Sequence, residues 1–198
     1  MESRSTCHLL MLFACVGMLA LSPVQANAKN SKWYQTRNVN FEISLPDQKR
    51  DQWLVGPLLG FPLMVLGPSQ NGFRPTLSFT PELTPTNKTF DMNVVEQQIG
   101  FYKNGRTNYV KNRNGTIKEF FAPSKIPNNN NLAIYAMGYN YTLDNLNIIE
   151  RSLRFVCDGY VVMAMARYYP EHHPDAEKQL NDVLSELKCR KKTKRSNK

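Results

Sequence analysis

The stretch LRFVCDGYVVMAMARY, residues 153–168, decides the fold of this chain because it contains two strands and the turn between them. Apolar residues dominate both halves, and the Asp158-Gly159 pair between them is typical of a tight hairpin, since Gly accepts a positive φ angle. We therefore predict one strand over 147–157 and a second over 160–168. Residues 132–141 form another apolar stretch of strand length, so the chain is predicted to contain an antiparallel meander of three strands.

A helix is predicted to follow this meander. Pro174 suits a first helical turn, and the four leucine and valine residues that come after it recur with the helical period of 3.6. These apolar residues are Leu180, Val183, Leu184 and Leu187. The amphipathic pattern predicts that this final helix packs one face on the sheet.

A second helix is predicted around residues 92–102. Its apolar residues recur at helical spacing, and Gly105 is expected to close the helix or to come shortly after its end. They are Met92, Val95, Ile99 and Tyr102. Short strands are expected around Tyr109-Val110 and 117–121, and a polar loop over 128–131.

The first part of the domain is predicted to be strands. Val39, Phe41 and Ile43 alternate with polar residues, which indicates a strand with one buried face. Residues 61–66 and 76–80 are predicted to form the next two strands. Strands, one helix, a meander and a final helix together predict the α+β class, with an antiparallel β-sheet flanked by helices.

The amino terminus predicts export. An apolar run over 8–21 and the small residues around Ala26-Asn27-Ala28 are typical of a cleaved signal peptide over residues 1–28. A lipid anchor on Cys15 is disfavoured because apolar residues continue after it. The expected location is the periplasm, with the extracellular space as the second choice, and residues 29–189 are long enough for one domain.

The positive charge is concentrated at the carboxyl end. The chain has a formal net charge of +9, and residues 190–198 contain six basic residues and no acidic ones. These residues are Arg190, Lys191, Lys192, Lys194, Arg195 and Lys198. The composition predicts a solvated, disordered tail, with contact to a membrane surface or another polyanion as an alternative. Nucleic acid is not an expected partner of an exported protein without a basic-aromatic pattern in its body.

Two cysteines, Cys157 and Cys189, remain after removal of the signal peptide. An even number of cysteines in an oxidising compartment favours a disulfide bond between them. This bond would fasten the last helix to the strand hairpin before it.

Four segments give the chain a resemblance to the PsbP-like fold. They are NVNFEISLPDQ (38–48), MNVVEQQIGFY (92–102), LRFVCDGYVVMAMARY (153–168) and EKQLNDVLSELKC (177–189). The photosystem oxygen-evolving subunit P, Mog-type Ran-binding proteins and bacterial envelope proteins of unknown role share that fold. The resemblance implies a single PsbP-like α/β/α sandwich and a role without catalysis, and it assigns no functional residue, because a fold does not determine an activity.

The uncharged segment 53–67 contains the first candidate site. It is too short and too broken by prolines to span a membrane. Its front half is predicted to be a loop that contacts a partner if it is exposed, since exposed apolar patches tend to be functional. The contact residues of this loop are predicted to be Trp53, Leu54, Leu58 and Leu59.

A second candidate site is a cluster of metal-ligating residue types, formed by Glu171, His172, His173 and Asp175. Imidazole and carboxylate groups bind transition metals, although adjacent histidines seldom both reach one ion. The competing interpretation is a turn into the final helix. The known catalytic and nucleotide-binding motifs are absent from the sequence, and no cofactor is predicted.

Three functional hypotheses follow. The first is an exported protein that binds or helps to assemble another component of the cell envelope, with another envelope protein as its partner. The second is a hydrolytic enzyme with a cleft over the sheet, which needs an acid or base with a perturbed pKa. The third is a binder of polyanions or of the membrane surface through the basic tail.

Overall fold

The computed structural model describes residues 31–47, 49–86 and 90–191, so the predicted signal peptide lies outside the described residues. The strands are β1 (Ser31–Gln35), β2 (Val39–Ser44), β3 (Leu54–Leu58), β4 (Phe61–Leu66), β5 (Thr76–Pro81), β6 (Thr116–Ile126), β7 (Ile134–Leu143), β8 (Leu146–Cys157), β9 (Tyr160–Tyr168) and β10 (Lys188–Lys191). The helices are α1 (Met92–Lys111) and α2 (Ala176–Ser185), with a short 3₁₀ turn at Arg50–Gln52.

Seven strands form the main sheet, in the order β3-β4-β5-β9-β8-β7-β6. Every neighbouring pair is antiparallel. The predicted meander is confirmed as β7, β8 and β9, and its second hairpin turns at Asp158 and Gly159, which both have positive φ angles. The predicted strands over 61–66 and 76–80 are β4 and β5.

The other three strands form a small sheet in the order β1-β2-β10. In its central strand, Val39, Phe41 and Ile43 are almost completely buried, as their alternation predicts. The Phe41 ring lies 5.1 Å from the ring of Phe79 in β5. The small sheet therefore packs its inner face on the main sheet.

The domain has three layers. Strand β2 and helix α2 share one hydrophobic core with one face of the main sheet, which we call the back face. Helix α1 packs against β6 and β7 on the opposite face, the front face, where Val110 joins a second cluster with Tyr139 and Tyr141. The predicted α+β class, with helices flanking an antiparallel sheet, is confirmed.

The predicted disulfide bond between Cys157 and Cys189 is present. It connects the end of β8 in the main sheet to β10 in the small sheet, across 32 positions of sequence. A loop of this size gives a stabilisation of roughly 3–4 kcal/mol on the chain-entropy model.

Helix α1 is longer than predicted, because it continues through Gly105 to Lys111. A glycine in a helix costs only about 1 kcal/mol relative to alanine, and the packing of the last turn outweighs this cost. Val110 in that turn is buried against the sheet. The prediction of a strand at Tyr109-Val110 is therefore wrong, and the strand expected over 117–121 is the longer β6.

Two predicted irregular segments are strands. The segment expected to form a contact loop is largely β3, an edge strand paired with β4. Arg190 and Lys191, expected to begin a disordered tail, pair with Asn40 and Val39 of β2. Sequence patterns did not predict β3 because it contains a proline, or β10 because it has no alternating apolar residues. Backbone pairing with a neighbouring strand decides the structure of both segments.

The asparagine-rich loop over 128–131, predicted correctly as a loop, caps the carboxyl end of α2. The Asn128 amide donates to the carbonyl oxygens of Leu184 at 2.7 Å and of Leu187 at 3.0 Å. Its side-chain oxygen accepts from the backbone N–H groups of Asn130 and Leu132. These bonds satisfy helix-end carbonyls that have no partner inside the helix.

We predict that Asn128→Asp destabilises the domain by about 1–3 kcal/mol, because it removes two hydrogen bonds and places a negative charge at the carboxyl end of a helix. Equilibrium denaturation measures the change. The control is Asn129→Ala, which removes only an exposed bond to Glu186. Equal stabilities of the two variants would contradict the capping role.

Candidate functional site

Backbone register places side chains from six strands in one row across the front face. In strand order from β3 to β7, the row contains Leu54, Leu66, Thr76, Arg167, Glu150 and Tyr139. Helix α1 packs against β6 and β7, at one end of the row. The row therefore passes from an open half of the front face to a half that lies under α1.

An apolar surface occupies the open half. We call it the methionine face and define it by Leu54, Leu66, Met163 and Met165, together with Met64, which is buried at 5% exposure. Leu54 is 48% exposed and Met163 is 43% exposed. Met64 and Met165 lie on strands β4 and β9, on either side of Ser78 in β5.

The composition of β9 explains why this surface is unusual. Val162, Ala164 and Ala166 point into the back-face core, while Met163 and Met165 alternate with them and point to the front. Strands that are apolar on both sides normally lie in sheets covered on both faces. Because α1 packs on other strands, part of the front of β9 stays exposed. Methionine side chains are flexible and suit surfaces that adapt to a partner.

A charged cluster lies at the boundary between the open and the covered halves. Its centre is Glu150 of β8, whose side chain is fully buried. One carboxylate oxygen accepts from the Arg167 Nη2 and Nε at 2.6 and 3.1 Å. The other accepts from the Tyr139 hydroxyl at 3.0 Å and lies 3.4 Å from the Arg106 Nη1 of α1. The buried charge is thus compensated by two cations and one hydroxyl.

Aromatic rings surround this cluster on the side of α1. The Arg106 guanidinium lies 5.4 Å from the Tyr102 ring centre and 5.9 Å from that of Tyr139. The Tyr139 and Tyr141 rings stack 5.0 Å apart. Aromatic packing therefore accounts for the burial of these two tyrosines of the meander. Arg106 also donates to the Ser152 hydroxyl at 3.2 Å, so one helix residue contacts several strands.

Burial fixes the protonation of the phenols in the cluster. It raises the pKa of Tyr141 to about 12 and raises the pKa of Tyr139 further, with the Glu150 charge as the next cause for Tyr139. Burial alone would lower the pKa of Arg167, but the hydrogen bond and charge of Glu150 outweigh it and raise that pKa. These phenols and Arg167 are thus fully protonated near neutral pH, so they donate hydrogen bonds rather than accept protons.

The structure separates the four residues predicted as a contact loop. Trp53 is buried in the main core at 6% exposure, so it is not a contact residue. Leu54 belongs to the methionine face, and Leu58 is half-buried at the end of β3. Leu59 is 79% exposed at the tip of the β3–β4 hairpin. Whether Leu54, Leu58 and Leu59 contact a partner stays a prediction.

The predicted metal-ligating residues point to different surroundings. The His172 ring stacks on Phe73 at 4.1 Å, and the buried His173 ring places Nε2 3.2 Å from the Pro68 carbonyl oxygen. Glu171 is exposed, and Asp175 stands at the amino end of α2. No group of three His, Cys, Asp or Glu residues suited to a metal occurs within 31–47, 49–86 and 90–191.

Two of the six residues predicted to bind a polyanion lie in strand β10, and the other four lie outside the described residues. Arg190 is exposed in β10, and its guanidinium lies 4.1 Å from the ring centre of Trp33 in β1. Lys191 is the last residue of β10. Lys192, Lys194, Arg195 and Lys198 lie outside the described residues, so their polyanion contact stays a prediction.

A groove of about 390 Å³ lies between the end of β2 and helix α2. Its charged groups form ion pairs with each other, namely Arg50 with Asp47 and Lys178 with Asp182. The groove lies beside the back layer rather than over the sheet, where the hydrolytic hypothesis requires a cleft. The hydrolytic hypothesis therefore stays a prediction.

No helix in the described part of the chain has the length and apolar composition needed to cross a membrane.

Sequence patterns did not reveal the Glu150 cluster. The available signal was the single acidic residue of β8, which comes directly after two isoleucines and faces the same side as Tyr139. Arg106 is 44 positions upstream of Glu150, and Arg167 is 17 positions downstream. Such distant pairs become visible only when helix and strands are placed together.

Comparisons with known proteins give distant similarities only. The chain matches no protein-family model. No curated protein matches it either. A Pseudomonas aeruginosa protein of unknown function, PA94, is 13% identical, with 78% of this chain and 94% of that chain covered and a TM-score of 0.43. LpqN, involved in cell envelope biogenesis of Mycobacterium tuberculosis, is 11% identical, with 81% and 90% covered and a TM-score of 0.49.

At such low identities and TM-scores, neither structure assigns a function to this chain. The resemblance to the PsbP-like fold stays a prediction, with which the observed architecture does not conflict.

We predict that Glu150→Gln destabilises the domain by about 2–3 kcal/mol, because it leaves two arginines without their counter-charge. The cost is below the roughly 3–5 kcal/mol of a fully buried pair, since both arginine side chains are about one third exposed. Equilibrium denaturation measures it. The control is Asp182→Asn, which breaks an exposed pair with Lys178 and should change stability by less than about 1 kcal/mol. Equal effects would show that the buried cluster contributes no more than a surface pair.

Proposed function

We propose that this chain is an exported protein of the cell envelope that acts by binding, and that its partner is another envelope protein, held on the methionine face. Export to the periplasm rests on residues 1–28, which have the pattern of a signal peptide. The disulfide between Cys157 and Cys189 supports an oxidising compartment, because such bonds are rare in reducing ones.

The observation that carries the binding role is an apolar surface on the front of the main sheet, between the edge strand β3 and strand β9. Leu54 and Met163 are nearly half exposed although they lie on strands within a packed domain. Contiguous exposed apolar surface is typical of interaction sites. A protein partner with an apolar contact surface would cover the strands that α1 leaves open.

Polar groups border the methionine face on the side of α1. Arg154 and Arg167 lie on the front of β8 and β9, and both are partly exposed. Thr76 and Thr80 lie on β5, inside the methionine face, where Thr76 pairs with Leu66 and Thr80 with Met163. Apolar side chains with polar groups among and beside them are typical of a protein–protein interface.

The tip of the β3–β4 hairpin gives independent support. Leu59 has a φ angle of 50° and Gly60 one of 82°, so both are in the left-handed region. A left-handed conformation costs an ordinary residue roughly 1–2 kcal/mol. An exposed leucine is therefore unfavourable for stability at a position where asparagine or glycine fits better. Strain of this kind clusters at functional sites.

We predict that the native protein begins at Lys29 and contains no free thiol. Intact-mass spectrometry, before and after alkylation without reductant, measures both properties. A mass that corresponds to a chain beginning at Lys29 supports export. A mass that does not change on alkylation supports the disulfide bond. A chain that retains residues 1–28, or a chain with two free thiols, would contradict the export part of the proposal.

We predict that the double variant Leu54→Glu/Met163→Glu weakens partner binding at least tenfold. Burial of one such side chain stabilises a complex by about 1.5–3 kcal/mol, and each 1.4 kcal/mol changes affinity tenfold. Affinity capture from envelope extract identifies the partner, and titration with that purified partner gives the affinity.

The matched control is Leu83→Glu/Phe101→Glu. Both residues are exposed and apolar, and neither lies on the methionine face. This control should bind as the unmodified protein does. Thermal unfolding of both double variants checks that they are folded. If the two double variants retain the same partner with equal affinity, the methionine face is not the binding surface.

A further inference from the structure

The small sheet brings the two ends of the described chain together. Strand β1 begins two residues after the predicted cleavage site, and β10 leads into residues 192–198. Both strands pair with β2, and the disulfide at Cys189 fixes β10 to the main sheet. Sequences far apart in the chain thus form one surface.

The described charged residues of the small sheet and its β1–β2 turn are mainly basic: Lys32, Arg37, Lys188, Arg190 and Lys191, with Glu42 as their acidic residue. Residues 29–44 and 188–198 contain ten lysines and arginines and one acidic residue, a formal charge of +9, which equals that of the whole chain. All other residues together contain equal numbers of acidic and basic side chains. The excess of basic residues is therefore concentrated in the two sequence segments that contain and flank β1, β2 and β10.

The outer face of the small sheet combines these cations with an indole ring. Trp33 is 37% exposed, and the Arg190 guanidinium lies 4.1 Å from its ring centre, across the central strand β2. The one acidic residue, Glu42, lies on β2, the strand between β1 and β10. Its carboxylate forms an ion pair with the Lys188 ammonium at 3.3 Å. Arg37 is exposed in the turn between β1 and β2. Lys32 is also exposed, but its pairing with Ile43 places it on the other side of the small sheet.

We propose that this outer face, the basic platform formed by Trp33, Lys188 and Arg190 with Arg37 in the adjoining β1–β2 turn, binds the anionic phospholipid surface of a membrane. Clustered basic residues are attracted to anionic lipid head groups, and residues 192–198 add four more cations. Tryptophan is enriched at the boundary between water and lipid, where its apolar ring and its N–H group are both satisfied.

The position of Arg190 favours lipid over an anionic polysaccharide. Its guanidinium covers one face of the Trp33 indole, so that face is not free to stack on a sugar ring. The exposed part of the indole remains available to enter a lipid head-group region. This proposal is independent of the methionine face, because the platform lies on the opposite side of the main sheet.

Vesicle binding tests the proposal with the chain that begins at Lys29. We expect sedimentation with vesicles that contain phosphatidylglycerol, and none with pure phosphatidylcholine. Each cation near the surface contributes about fivefold to partitioning. Arg37→Gln/Lys188→Gln/Arg190→Gln should therefore weaken binding on the order of a hundredfold. The control Lys111→Gln/Lys118→Gln/Lys125→Gln has the same net charge, lies elsewhere on the surface and should change binding less than threefold.

Tryptophan emission reports whether the platform itself meets the lipid. The chain contains two tryptophans, and Trp53 is buried in the core, so only Trp33 is exposed to solvent. We expect a blue shift of emission on phosphatidylglycerol vesicles. Trp33→Phe should abolish this shift, while substitution of the four cations in 192–198 by glutamine should weaken binding and retain it.

Three results would overturn the proposal. One is equal binding by the platform variant and its control, since charge alone would then explain it. Another is vesicle binding without any change in Trp33 emission. The last is binding of dextran sulfate without binding of anionic vesicles, which would identify a polysaccharide partner. Circular dichroism of each variant establishes that the fold is intact.

Discussion

Burial of both faces of the central strands is the constraint on which the other layers depend. Strands β7, β8 and β9 have large side chains on both sides, with Leu153 and Phe155 on the back face and Tyr139 and Tyr141 on the front. Each such side chain contributes about 1.5–3 kcal/mol when it is buried. The back face is covered by α2 and the small sheet, and the front face by α1. Because α2 and the small sheet pack on one face of the meander and α1 packs on part of the other, the domain has three layers.

Glu150 lies on the front face of the main sheet, at the boundary of the part that α1 covers. Taking a carboxylate out of water is costly, and its pairing with Arg106 and Arg167 compensates for that cost. Arg106 comes from α1 and Arg167 from β9, so the cluster connects the helix to a strand that the helix does not pack on. Buried ion pairs add little stability compared with apolar packing, but in some proteins they specify one arrangement. Our hypothesis is that this cluster fixes the position of α1 and leaves the methionine face open.

The parts of the fold that could be predicted from the sequence are those where local pattern and tertiary packing agree. The β8–β9 hairpin has Asp158-Gly159 at its turn, and α2 has a clear apolar stripe. The end of α1 and strand β10 could not be predicted, because tertiary contacts there override local signals: Val110 packs beyond two glycines, and Arg190 pairs with a distant strand. The Glu150 cluster was missed for the same reason. The methionine face had a local signal, since β9 is apolar at successive positions, but only the position of α1 shows which side is bare.

The two proposed surfaces face in opposite directions. The methionine face lies on the front of the main sheet, while the small sheet packs on its back and turns the platform of Trp33 and Arg190 away from it. Neither surface includes a residue of the other, and the core between them is continuous and well buried. The two proposals are therefore compatible: they would let one molecule contact an anionic membrane and a protein partner at the same time. Confinement to a membrane surface raises the local concentration of a partner that is also there, so a weak apolar contact suffices for binding.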